Sequence, residues 1–345
     1  MAVWTNKEIK VHIIHVITGM HKAAGTTTFV ENVVAGLRSL GHKVDIAVSI
    51  EGIRHCDIIH IHGLWSALLH KASLFAAKNA IPFVWSTHGM TAPWSMRHKR
   101  WKKFPAWYFY QRSDLRRAAA IHCTTEQEVT WNKALGFANC FVVPLGTHLP
   151  ANNFSSPTHK NNHTILFVGR IYPVKGLVNL INAWVLSNVD GWSLRLVGPD
   201  QAGHRSQLET LVQKLGLTDK VVFTGPKFGE ALSAEYDNCD CLILPSFTEN
   251  FGATIVDALA HGKPCIASTF TPWRELGERG CGWWVSNEPR NLAAVISEMI
   301  AMSDDKREQM GRRGLNLIQE KYTWSAVSKL MDKEYRRIVN GVLHP

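Results

Sequence analysis

The sequence predicts an α/β protein of two Rossmann-like doubly wound domains facing a cleft, with a C-terminal helix that crosses back to the first domain. Short β-branched apolar runs alternate with longer amphipathic stretches along the whole chain, the pattern of parallel strands covered by helices. One segment, 146–162 (GTHLPANNFSSPTHKNN), interrupts that alternation with Asn, Ser, Pro and His and has no periodicity, so it reads as a linker. The length of 345 residues, at roughly 100 to 200 per domain, favours two domains over one.

In the first domain, residues 1–150, strands are expected near 10–17 (KVHIIHVI), 43–49 (KVDIAVS), 57–62 (DIIHIH), 82–86 (PFVWS), 120–123 and 141–143. Helices near 27–40, 65–79, 98–118 and 125–135 connect them, and Pro105 argues against one straight helix across the third. In the second domain, residues 151–322, strands follow near 164–168, 193–197, 220–223, 241–244, 264–267 and 283–285. Helices are expected near 176–187, 204–215, 229–238, 252–261, 290–302 and 305–319. The remaining segment, 323–345, carries a helix at about 324–339 after the second domain is complete. Sheets of this kind take ligands at the carboxyl ends of their strands.

Hydrophobic residues make up 46% of the chain and charged residues 19%, which excludes a disordered polyelectrolyte. The uncharged stretch Asn79 to Met96 is broken by prolines and polar residues and is not an apolar span. MAVWTNKEIK lacks the apolar run of a signal peptide. Seven scattered cysteines without C-x-x-C spacing suggest neither a disulfide framework nor zinc, and reduced thiols fit the expected cytoplasmic location.

The net charge of +10 is uneven: +9 lies before residue 150 and +1 after it. Residues 97–117 (RHKRWKKFPAWYFYQRSDLRR) hold eight cations and one acid, interleaved with Trp101, Phe104, Trp107, Tyr108, Phe109 and Tyr110. Such a mixture, with Arg100, Lys102 and Lys103 at its centre, suits an anionic membrane surface. A solvated face with some aromatics in the core would read the same way. No helix-turn-helix, zinc-finger, RNP or KH pattern supports nucleic acid.

Three stretches carry chemistry. The first loop (17–44) runs from a strand through Gly19 and Gly25 to a helix opened by Thr26, Thr27 and Thr28, and is neither a Walker A loop nor a G-x-G-x-x-G fingerprint. In VGRIYPVKGL (168–177), Arg170 and Lys175 flank a helix start, where cations oppose the helix dipole unless an anion sits between them. In LPSFTENFGATIVDALAHGKPCIAS (244–268), Glu249 precedes a helix expected to start near Phe251, Gly252 permits close backbone approach, and the N–H groups around Ala253 and Thr254 are free for phosphate. Asp257 follows eight residues after Glu249, and both carboxylates can accept from sugar hydroxyls. A capping carboxylate and a helix-surface Asp would look the same. His60 and His62 share one strand face without an acidic or third histidine partner at a metal spacing, and no D-x-D pair is present, so no metal is expected. Trp65 and Trp94 stand after strands, where they stack on an acceptor or pack the core.

The order of Gly-rich first loop, STHGM (86–90), GR-x-x-x-x-K-G, PS-x-x-E-x-F-G and A-H-G-x-P (260–264) resembles the retaining, GT-B-fold, group 1 glycosyltransferases of bacterial surface-polysaccharide and lipopolysaccharide assembly. The resemblance spans nearly the whole chain. It implies acceptor binding in the first domain and nucleotide-sugar binding in the second, with His88 and Glu249 at the reacting centre. Arg170, Lys175, Gly25, Ala253 and Thr254 would hold the donor diphosphate, and Asn250, Phe251, Gly252 and Asp257 the donor sugar and ribose. The family usually has Glu where this chain has Asp257, whose side chain is one methylene shorter. Gly198 and the stretch Gly225, Pro226, Lys227 would line the base pocket.

The implied partners are a UDP- or GDP-type nucleotide sugar, a glycan or lipid-linked glycan acceptor, and an anionic membrane through residues 97–117, with no nucleic acid and no cofactor. The implied place is the cytoplasm, peripheral on the inner face of the plasma membrane. A soluble-acceptor glycosyltransferase and a catalytically weak nucleotide-sugar-binding or partner protein are the alternatives.

Overall fold

The computed structural model describes residues 10–19, 25–150, 163–187 and 189–343. The chain divides into two compact units, one formed by the residues up to Gly146 together with those from Trp324 onward, the other by Thr147–Thr323. Most of the expected linker, 151–162, lies outside the described residues, as do residues 20–24 of the glycine-containing first loop.

The first unit runs β1 (His12–Val16), α1 (Gly25–Ser39), β2 (Lys43–Ala47), β3 (Ile58–His62), α2 (Ala67–Lys78) and β4 (Phe83–Ser86), followed by α3 (Pro93–Arg97) and α4 (Arg100–Ala106). A π turn (Trp107–Gln111), α5 (Arg112–Arg117), β5 (Ala120–Cys123), α6 (Glu126–Ala134) and β6 (Cys140–Val142) complete it up to the crossing. The six strands are all parallel in the order β2-β1-β3-β4-β5-β6. Every residue of β3 and β4 is buried, as strands covered on both faces require. Ile13, Val30, Val33, Leu37, Ile58 and Val84 form one face of the core. Ile14, Ile59, Ile61, Leu69, Trp85 and Leu115 form the other.

The second unit runs β7 (His163–Val168), a 3-10 turn (Pro173–Lys175), α7 (Leu177–Leu186), β8 (Trp192–Val197), α8 (His204–Lys214), β9 (Val221–Gly225), α9 (Glu230–Asn238) and β10 (Cys241–Leu244). It continues with α10 (Ala253–Ala260), β11 (Cys265–Ser268), α11 (Glu275–Glu278), β12 (Gly282–Val285), α12 (Pro289–Ala301), α13 (Asp304–Leu317) and a second π turn (Ile318–Tyr322). Its sheet is also parallel, in the order β12-β11-β10-β7-β8-β9. That is the dinucleotide-fold order, reversing direction between β7 and β10.

The last helix, α14 (Trp324–Leu343), returns to the first unit and packs along α1. Gly36 makes that approach possible, because a β-carbon there would stand 2.0 Å from Ser328 Oγ. Val327, Met331 and Tyr335 of α14 enter the α1 side of the core.

Several elements differ from expectation. The helix expected over 98–118 is preceded by the separate α3 and continues through Pro105, with the π turn directly after it. Proline removes one backbone donor, and a π turn is a recognised way for a helix to absorb a local register change. The helix expected near Phe251 starts at Ala253, because Gly252 is left-handed (φ 83°) and holds the chain out of helical geometry until then. All seven cysteines are free. No described helix is long and apolar enough to cross a membrane.

Candidate functional site

In the second unit the chemistry collects where the strand order reverses. Gly169 and Arg170 follow β7, and Pro245 and Ser246 follow β10, so both loops open at neighbouring carboxyl ends. Two glycines let the backbone close up there. A β-carbon on Gly198 would stand 1.8 Å from the carbonyl oxygen of Gly169, and one on Gly176 (φ 71°) would stand 2.1 Å from that of Pro245.

This closeness brings Lys175 to Glu249. Lys175 Nζ donates to Glu249 Oε1, with side chains only 14% and 12% exposed. Ser246 Oγ donates to the same oxygen at 2.8 Å, leaving Oε2 without a partner among the described residues. An ammonium has three donors, so Lys175 keeps two for a ligand. Arg170 is exposed and its Nη1 donates to Gln201 Oε1 at 2.8 Å.

Behind Glu249, α10 presents its N-terminus. Ile255 N already bonds Gly252 O (2.9 Å), while the N–H groups of Ala253 and Thr254 have no partner among the described residues. Thr254 Oγ1 is buried and likewise unpartnered. Unsatisfied donors at a helix start form an anion site. Asn250, half-buried, stands between Glu249 and this helix start.

The side chain of Phe251 is part of the core. Its ring is buried against Trp273 (5.3 Å) and Tyr322 (6.1 Å), and its carbonyl accepts from Trp273 Nε1 at 2.5 Å. Apolar packing outcompetes exposure here, and only its N–H is left for a ligand. Asp257 is half-buried and accepts from Thr147 Oγ1 at 2.7 Å, and burial raises its carboxyl above the usual range against that hydrogen bond. Near the expected base pocket, Lys227 is engaged with Glu235, which also takes two 2.8 Å bonds from Arg195.

In the first unit His88 follows β4 in a left-handed conformation (φ 48°) that a non-glycine residue adopts only when held. Glu128 holds it. Its Oε1 accepts from Thr87 Oγ1 and Gly89 N, both at 2.6 Å, and its Oε2 accepts from Thr124 N (2.8 Å) and Thr124 Oγ1 (3.0 Å). The T-x-x-E spacing at 125–128 marks Glu128 as a helix-capping residue, but nothing local ties it to a loop thirty-nine positions earlier.

The His88 ring belongs to a buried cluster with His15, His60, His62 and His122. His60 and His62 do acquire a third histidine, contrary to the spacing argument, because β1 lies beside β3 and carries His15 there. The His60 and His62 rings stack at 4.0 Å and 30°, so their in-plane lone pairs run alongside each other rather than converging. Phe29 closes the cluster, 5.7 Å from His88 and 5.4 Å from His122. Burial pushes His15 and His88 down to about 3, with His122 adding to both, and lowers His60, His62 and His122 too.

Gly25 opens α1 and is exposed. Trp65 is half-buried, its N–H donating to Gln111 Oε1 (2.9 Å) and its ring 6.1 Å from Trp107. Trp94 is 48% exposed and stacks on His98. Arg100 and Lys102 are exposed, but Lys103 is committed: its Nζ donates to Ser95 O at 2.6 Å and lies 5.7 Å from the Trp65 ring, and desolvation lowers its ammonium. Trp101, Phe104 and Tyr108 recur at helical spacing and are all exposed.

The family described as "Glycosyl transferases group 1" matches residues 150–316, and the family described as "Glycosyl transferase 4-like domain" matches 53–146. An uncharacterized glycosyltransferase of Methanocaldococcus jannaschii is 32% identical over 168 residues, 48% of this chain and 42% of its own. A D-inositol 3-phosphate glycosyltransferase of Paenarthrobacter aurescens is 26% identical over 190 residues, 52% of this chain and 45% of its own. The chain thus spans less than half the length of these two relatives. Among solved structures, Anabaena HepE in complex with UDP-glucose superposes with a TM-score of 0.76 at 18% identity, over 95% of this chain and all of that one.

Proposed function

We propose, from the premise that the chain belongs to the group 1 glycosyltransferases of the two-domain GT-B fold, that it moves a sugar from a nucleotide-sugar donor to a glycan acceptor with retention of configuration and without a metal. The observation that carries this reading is the Lys175–Glu249 pair at the mouth of α10. It sets two spare ammonium donors and two free helix N–H groups beside a carboxylate with one open oxygen.

In this reading the diphosphate lies between Lys175, Arg170 and the α10 N-terminus. As the bond from the anomeric carbon to the phosphate oxygen breaks, negative charge grows on the diphosphate and these groups stabilise it. Glu249 Oε2 accepts from a sugar hydroxyl. Glu249 is not a covalent nucleophile, since Lys175 and Ser246 already occupy Oε1 and draw charge from the carboxylate. The acceptor oxygen attacks from the face the phosphate leaves, and the departing phosphate takes its proton. In the same reading His88 is a catalytic residue that contacts the donor sugar. The UDP-glucose bound by HepE supports a UDP-type donor.

The exposed stripe of Trp101, Phe104 and Tyr108, with Lys102 Nζ 4.9 Å from the Trp101 ring, supports a lipid-linked acceptor met at an anionic membrane on the cytoplasmic side, in surface-polysaccharide or lipopolysaccharide synthesis. The name of the inositol-phosphate relative favours a soluble acceptor instead, and that reading predicts full turnover without vesicles.

Calorimetric titration with UDP, GDP, ADP, CMP and dTDP in EDTA tests the donor site. One nucleotide should bind, and Lys175→Gln should raise its Kd at least about tenfold, the loss of one charge-assisted bond. Binding to none of the five, or equal binding by the variant, overturns the reading.

A further inference from the structure

The buried histidines of the first unit form two hydrogen-bonded chains, and the direction of each can be worked out. In the first, His122 Nε2 lies 2.8 Å from Val143 O, which only accepts, so His122 carries its proton on Nε2 and accepts at Nδ1. Ser86 Oγ, 2.6 Å from that Nδ1, donates to it and accepts from His60 Nε2 at 2.6 Å. His60 Nδ1 is then an acceptor for the Tyr335 hydroxyl. The chain has one consistent sense and no surplus proton.

The second chain ends at His88. His15 Nδ1 is 2.9 Å from His62 Nε2, and His62 Nδ1 is 3.1 Å from His88 Nε2. His15 Nε2 is buried and has no partner among the described residues. Two senses are open to neutral rings. If His88 donates toward His62, the chain ends on an orphaned N–H at His15 Nε2. If His15 donates, it ends there on a bare lone pair. A buried donor without an acceptor is the rarer and costlier defect, so the second sense holds. His88 then accepts at Nε2 and carries its proton on Nδ1, the nitrogen that has no partner among the described residues.

We propose that His62, backed by His15, is a positioning residue that fixes His88 as the Nδ1–H tautomer, so that His88 meets its ligand as a hydrogen-bond donor to an oxygen and not as a base. The proposal rests on the reading of His88 as the residue that faces the donor sugar. Burial keeps every ring in the cluster neutral, which the two-sense argument requires. The ring stacks of His15 on His62 (5.1 Å, 13°) and His62 on His88 (5.3 Å, 25°) keep the three rings in step.

Long-range proton–nitrogen correlation spectra of histidine-labelled protein, without any substrate, read the tautomer directly. Wild type should show His88 protonated on Nδ1. His15→Leu removes the donor that starts the chain, and His88 should move to the Nε2–H form or a mixture. His15→Asn places an amide N–H near the lost Nδ1–H and should restore the wild-type spectrum. In transfer assays His15→Leu should lower kcat about tenfold with the nucleotide Kd unchanged, and His15→Asn should recover most of it. His88 protonated on Nε2 in wild type overturns the proposal, and that measurement stands even if His15→Leu does not fold. An unchanged spectrum in a folded His15→Leu overturns it as well. The expected spectra together with no sugar transfer by wild type would count against the glycosyltransfer reading and leave this one in place.

Discussion

Acidification should unfold the first unit well before the second. His15, His60, His62 and His122 are 0 to 2% exposed, and burial holds all four below the ordinary histidine value of 6.5, His15 at about 3. Above pH 6.5 both folded and unfolded chains carry these rings neutral, so nothing is lost. As pH falls below 6.5 the unfolded chain takes up protons that the folded unit refuses, and stability drops until the folded values are reached. At pH 5.5 His15, His60 and His62 each cost about 1.4 kcal/mol, about 4 kcal/mol together, and the lowered His122 adds to that. A domain is typically stable by about 5 to 15 kcal/mol, so this is a large share. Hydrogen exchange in graded urea at pH 7.5 and 5.5, corrected for intrinsic rates, resolves the two units. Peptides over β1 and β3 should lose most of their protection at pH 5.5. Those over β7 and β10 should hold it, the second unit having only His204 buried among its described histidines. Equal free energies for β1 and β3 at both pH values, within about 1 kcal/mol, would refute the reasoning.

Glu128→Ala strips four donors of their acceptor and should cost about 2 to 4 kcal/mol in urea unfolding, with faster exchange confined first to residues 87–91. A loss below about 0.5 kcal/mol would show that the His88 loop holds itself. Gly176→Ala should lower stability by about 2 kcal/mol or more, read from the melting temperature, because its φ of 71° and the 2.1 Å approach to Pro245 O both oppose a β-carbon. Replacing Arg97, Arg100 and Lys102 together by Ser should weaken sedimentation with anionic vesicles about a hundredfold, at about 1 kcal/mol per cation, with nucleotide affinity unchanged. Unaltered sedimentation would sink the membrane role of the patch.

Strands and long helices were legible because burial on both sheet faces forces apolar runs, as in IIHIH of β3 and HTILFV of β7. The GR-x-x-x-x-K-G and PS-x-x-E-x-F-G motifs announced Arg170, Lys175 and Glu249 because each is bound to one strand end. Their pairing was not legible, since Lys175 reaches Glu249 only after β7 and β10 become neighbours. The same reason hid Glu128 on α6 and the partners of His62, which are His15 on β1 and His88 in the loop after β4. Helix starts were displaced where a left-handed glycine intervenes, as at Gly252. The packing of the Phe251 ring against Trp273 and Tyr322 was not legible, because a motif position says which residue is present and not what covers it.

The return of α14 to the first unit has a consequence for synthesis on the ribosome. The second unit is continuous in sequence and can fold as soon as Thr323 clears the exit tunnel, but the first is discontinuous. Its α1 face must wait for Val327, Met331 and Tyr335 while 177 intervening residues, 147 to 323, are made. At about 5 to 20 residues per second that is roughly 10 to 35 seconds. Through that interval a nascent chain carries Val30, Val33 and Leu37 without the helix that completes their packing, and His60 without the hydroxyl that Tyr335 supplies. The unit translated first is therefore the one that matures last.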